Sequence, residues 1–110
     1  MGQNLQLKEK YEMFIKIHKS YMDVVAICDS DIIGKTFEEG KKQLDIKENF
    51  YKGFEVDEKK AIDLMQKLDI ENSTFNIVGK KSVEAAVKAG IIVKENISNI
   101  KGIPFALKLI

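Results

Sequence analysis

The sequence predicts one small α+β domain: a mixed or antiparallel sheet opened by an N-terminal β-hairpin, with two main helices on one face. Three observations carry this. Apolar residues alternate with period two in the first quarter of the chain, and two stretches in the second half place them at helical spacing. No repeat, low-complexity run or Pro/Gly/Ser-rich linker divides the 110 residues. Helices concentrated after the first strands favour segregation to one side of a sheet, which leaves the other face open to a partner.

The elements follow in order. Residues 1–10 are polar and read as a frayed extension or a short helical lead-in, the whole extension covers 1–12, and the domain runs from 13 to 110. Met13, Ile15 and Ile17 share one face of a strand, with Phe14, Lys16 and His18 on the other. Lys19 to Asp23 turns the chain, and Asp23 to Cys28 returns as a more deeply buried strand, completing a hairpin. Ser30 to Ile33 makes one helical turn closed by Gly34, and Gly40 marks a further turn. Leu44 and Ile46 alternate on a third strand, and Asn49 to Gly53 is a connection carrying Phe50 and Tyr51.

Asp57 caps a helix whose Ala61, Ile62, Met65 and Leu68 line one side, with Glu58 favoured in the first turn by the helix dipole. Ser73 to Val78 is a strand with Phe75 and Ile77 on one side. Gly79 leads into a second helix that turns Val83, Ala86 and Val87 inward and ends at Gly90. Ile91 to Val93 reads as a short strand, and Ile103, Phe105, Leu107 and Leu109 alternate on a last one.

Composition excludes several function classes. With 45% hydrophobic and 32% charged residues the chain is of the soluble globular type, and no apolar run approaches the ~20 residues that span a bilayer. The first ten residues, MGQNLQLKEK, lack an apolar signal core, so the expected location is cytoplasmic with no membrane partner. One cysteine, Cys28, cannot form an internal disulfide, and on an apolar strand it reads as an inert thiol. One Cys and one His, ten residues apart, cannot fill a tetrahedral zinc site, so no metal or cofactor is expected. All 18 basic residues are lysine, which removes the guanidinium fork that grips phosphates and guanine edges.

Gly34-Lys35-Thr36 follows an apolar run as the end of a phosphate-binding loop does, but the pattern fails. GxxxxGK[ST] needs a first glycine, and Asp29 stands there, with Asp31 inside the loop. Two carboxylates repel a polyanion, and the segment reads as a structural turn in which Asp29 or Ser30 caps the following amides.

The residues MFIKIH at 13–18, CDSDIIGKTFEEG at 28–40, FYKG at 50–53, NIVGKKSVEAAVKAGII at 76–92 and NIKGIP at 99–104 are separated motifs in a fixed order. From Met13 onward the chain resembles an archaeal family of uncharacterised proteins, domain of unknown function family 424. The resemblance implies no established activity. Its genes tend to lie near those of translation and ribosome-biogenesis factors, which implies an RNA- or ribosome-linked role. The family often carries a His after the Pro of its last motif, whereas Phe105 follows Pro104 here, which argues against acid–base chemistry at that point.

The expected function is therefore a non-catalytic, RNA- or ribosome-associated, translation-linked binding module. Candidate RNA or anion contacts are Lys35, Tyr51 and Lys52, where an aromatic beside a cation can stack on an unpaired base. Lys80 and Lys81 join them, where Gly79-Lys80-Lys81-Ser82 opens a helix whose amides favour an anion. The alternative is a protein-interaction or assembly module without nucleic-acid contact, using a patch of Ile32, Ile33 and Phe37 around the Gly34 turn. Asp29 and Asp31 are the acidic residues available to an enzyme, but no nucleophile or metal motif accompanies them.

Overall fold

Two hydrophobic cores lie on opposite faces of one six-stranded sheet. The structure, a computed structural model, describes residues 11–110, so most of the expected extension over 1–12 lies outside the described residues. The sheet contains β1 (Met13–His18), β2 (Val24–Asp29), β5 (Phe54–Val56), β6 (Thr74–Val78), β7 (Ser98–Ile100) and β8 (Ile103–Lys108), in the order β5-β1-β2-β6-β8-β7. A separate two-stranded hairpin pairs β3 (Thr36–Glu39) with β4 (Lys42–Asp45). Only β2 and β6 run parallel, so the sheet is mixed; the connection between them carries the hairpin, β5 and two helices. The helices are α1 (Glu48–Tyr51), α2 (Glu58–Ile70) and α3 (Lys80–Lys88).

The first face is the one that the periodicity anticipates. Met13 and Ile15 of β1, Val25 and Ile27 of β2, and Phe75 and Ile77 of β6 point to α2 and α3. Ala61, Met65 and Leu68 of α2 and Val83, Ala85 and Ala86 of α3 meet them. Fully burying a side chain of Ile or Phe size stabilises the fold by about 1.5–3 kcal/mol before entropy is counted. Asp57 caps α2 as expected, its Oδ1 accepting from the Lys60 amide at 2.8 Å.

The second face is not open. Phe14, Ala26, Cys28 and Val78 on the reverse of the same strands are covered by Ile32, Ile46 and Tyr51, with Ile33, Phe37, Leu44 and Phe50 packed around them. The β3–β4 hairpin and α1 thus form a second layer, and the glycine turn anticipated at Gly40 (φ 62°) is the hairpin's tip. The third strand ends at Asp45, with Ile46 just beyond it. The expected connection around Phe50 and Tyr51 is a helical turn, α1.

Strands β3, β5 and β7, of 4, 3 and 3 residues, carry no clear period and were not anticipated. The strand expected at Ile91 to Val93 is absent. Ile91 and Ile92 are both buried but pair with no neighbouring strand; the Ile91 amide instead donates to the Ala86 carbonyl at 2.9 Å, continuing the C-terminal end of α3, and a 3₁₀ turn over Lys94–Asn96 follows. In β8 the residue that faces the helical core is Ala106, while Leu107 and Leu109 are 55% and 71% exposed.

Candidate functional site

β1 ends at the rim of the second layer, and there His18 meets Phe50 of α1. Their rings stack at 4.6 Å between centroids with 17° between planes. The His18 Nε2 lies 2.8 Å from the Phe50 carbonyl oxygen, which can only accept, so that nitrogen donates. Lys16, two residues earlier on the same side of β1, donates from Nζ to the Asn49 carbonyl at 2.7 Å. Two backbone carbonyls of the short α1 are thus held by β1 side chains, and this fixes the aromatic pair in place. Gly53 closes the arrangement: a Cβ there would collide with the Ile15 backbone, so the chain passes β1 only as glycine.

The stacked pair opens into a concavity of about 460 Å³, lined by His18, Asp45, Lys47, Asn49, Phe50 and Tyr51. Both rings of the pair are half-buried, with part of each surface in solvent. Lys47 is 65% exposed and only 4.0 Å from Asp45, and Lys52 lies 3.8 Å from Glu48. The lining itself carries one lysine and one carboxylate, Lys47 and Asp45, and Lys16 reaches it through the Asn49 carbonyl.

Tyr51 is not the stacking residue. It is 7% exposed, its ring meets Phe50 edge-on at 5.0 Å, and burial pushes its hydroxyl up to about 12. The aromatic beside it, Phe50, takes the position at the surface. One helical turn explains the exchange, because adjacent residues on α1 point about 100° apart and only one can enter the core. His18 was missed as part of this site because its partner is 32 residues away.

Lys80 and Lys81 lie elsewhere, at the start of α3 on the helical face of the sheet. The amides that open α3 already have an anion, the Asp29 carboxylate from the end of β2. Its Oδ1 accepts from the Ser82 amide at 2.8 Å and the Ser82 hydroxyl at 2.8 Å, and its Oδ2 from the Lys81 amide at 3.1 Å. A phosphate therefore finds no open nest there, which corrects the expectation of an anion site at Gly79-Lys80-Lys81-Ser82. The Lys81 ammonium pairs with Glu12, which raises its pKa. Lys35 is exposed beside the Gly34 turn, its amide bonded to the Ile32 carbonyl.

Ile32, Ile33 and Phe37 do not form an exposed patch. Ile32 is 8% exposed and belongs to the second core, and Ile33 and Phe37 pack against it. Asp29, one of the two carboxylates available to an enzyme, is used up as the α3 cap. Cys28 is buried, and the loss of solvent pushes its thiol up to about 12, so it is no nucleophile near neutrality. Among the described residues no group of three or more His, Cys, Asp or Glu side chains could hold a metal ion, and no helix is long and apolar enough to cross a membrane.

Known proteins place the chain as follows. Among solved structures it is similar to an uncharacterized conserved protein from Methanopyrus kandleri, with a TM-score of 0.79 and 24% identity over 86% of this chain and 88% of that one. That likeness shows a shared fold. No curated protein matches. A family described as protein of unknown function (DUF424) matches residues 17–109, nearly the whole of the described domain. The chain belongs to this family, DUF424.

Proposed function

We propose that this protein is a non-catalytic RNA-associated binding module that holds an unpaired base against the His18–Phe50 stack. The observation that carries the reading is the stacked pair itself, 4.6 Å apart and half-exposed at the mouth of a concavity. Single-stranded RNA is recognised by splayed bases stacking on aromatic or histidine faces, with lysines following the backbone as point charges. Lys16, Lys47 and Lys52 supply those charges, and the absence of arginine suits backbone contact rather than readout of base edges. Ribosomal RNA exposes such bases in loops and bulges, consistent with a ribosome-linked role.

The test is a salt titration of binding to single-stranded RNA, to duplex RNA and to ribosomal subunits. Tighter binding to the single strand than to the duplex, weakened in a Phe50→Ala variant, is the expected result. Equal binding to both RNAs, or no binding at low salt, overturns the reading.

A further inference from the structure

The sheet edge opposite the aromatic pair carries a second concavity, of about 550 Å³, between α3 and the segment that leads through β7 to β8. Its floor is apolar: Val83 and Val87 of α3 face Ile97 and Pro104 across it. Pro104 has no N–H to offer, and its carbonyl is taken by the Gly79 amide at 2.8 Å, so Pro104 itself presents no open backbone polar group. The size is that of a ligand pocket.

The rim is charged, and unevenly. Lys88 is paired with two carboxylates, Glu58 at 3.0 Å and Glu84 at 3.3 Å, which leaves one carboxylate in excess there against Lys80 and Lys94. Lys80 and Lys94 line the same rim and make no ion pair among the described residues. The balance at the groove is therefore positive above an aliphatic floor. No aromatic ring lines it, so it offers no stacking face to a base.

We infer that this groove docks a short acidic, amphipathic peptide segment of a partner protein. Aliphatic side chains of the segment enter between Val87 and Ile97, and flanking carboxylates reach Lys80 and Lys94. The mode is that of an amphipathic segment laid in a hydrophobic groove, with the charged rim setting which partner is accepted. Lys80 serves this groove and not the RNA site, and the groove lies on the other face of the sheet from the His18–Phe50 pair. The two surfaces make independent contacts.

The test uses fluorescence anisotropy with a labelled model peptide that has leucines at helical i, i+3, i+4 spacing and glutamates elsewhere. A counterpart with lysines for the glutamates is the control. The acidic peptide is expected to bind and its counterpart not, and amide resonances of Val83, Val87 and Ile97 are expected to shift on binding. The double variant Lys80→Glu, Lys94→Glu changes only exposed side chains, keeps the far-ultraviolet spectrum, and weakens the acidic peptide by on the order of tenfold or more. No binding of the acidic peptide, equal affinity for both peptides, or unchanged affinity in the double variant overturns the proposal. So does a double variant that loses single-stranded RNA and retains the peptide, which would assign the lysines to nucleic acid.

Discussion

Asp29 and Ser82, 53 residues apart, are joined by two hydrogen bonds of 2.8 Å to one carboxylate oxygen, from the amide and from the hydroxyl. This contact ties the end of β2 to the first turn of α3 and fills the helix N-terminus with the chain's own negative charge. Gly79 makes room for it: a Cβ at that position would land on the Asp29 carboxyl group, and its φ of 109° is one that side-chain-bearing residues rarely adopt.

Asp29→Ala removes the acceptor for three buried or half-buried donors. The expected cost is about 2 kcal/mol, a fall in Tm of roughly 10 °C for a domain of this size. Asp29→Asn retains one oxygen and should lie between. Thermal unfolding followed by circular dichroism measures this, and an unchanged midpoint in Asp29→Ala would remove the capping account.

Gly79→Ala should destabilise by about 3 kcal/mol or more, because a steric clash adds to backbone strain. The clash needs the carboxylate and the strain does not. In an Asp29→Ala background, Gly79→Ala should therefore cost less than it does alone, a non-additivity that a double-mutant cycle in urea reads directly. Strict additivity would mean that the two residues do not meet.

Cys28 and Tyr51 set the alkaline limit. Burial raises Cys28 from 9.0 and Tyr51 from 10.0, each to about 12. Both hold their protons more tightly in the folded state, so the unfolded chain releases them first as pH rises. Their contribution is intact below about 9 and is lost progressively from there towards about 12, by at most ~1.4 kcal/mol per pH unit for each group. Tyr51→Phe should flatten that decline in a urea series across pH, and an unchanged slope would count against burial as the cause. For the same reason the native Cys28 thiol should resist iodoacetamide at pH 8 and react once unfolded.

If the His18–Phe50 pair stacks a base, Phe50→Ala should weaken single-stranded RNA by about 1–3 kcal/mol, roughly 5- to 150-fold. Lys47→Ala should instead lower the salt dependence, by about 0.7 in the log–log slope if it neutralises one phosphate. Filter-binding across a salt series separates the two effects. A Phe50 variant that binds RNA as well as the parent would end the stacking reading.

The periodicity of MFIKIH and of Ala61 to Leu68, the cap at Asp57 and the stop at Gly90 were legible because each depends on neighbours within a turn or two of chain. Local pattern also reached the inert Cys28, but it assigned Asp29 or Ser30 to the turn that follows; that turn has no side-chain cap, because the Asp29 carboxylate is taken by Lys81 and Ser82 from a distant helix. The sequence by itself thus determined the α+β class, the helical core face and the absence of a phosphate loop. Tertiary structure alone decided that Asp29 closes α3, that Phe50 and not Tyr51 reaches the surface, and that His18 stands beside it. The physical reason is sequence distance. Each of these outcomes pairs residues from separate elements, and whether a polar or aromatic group is buried or presented depends on what packs over it. The hairpin and α1 cover one face of the sheet, and no residue of β1 or β2 records in its own period that they do.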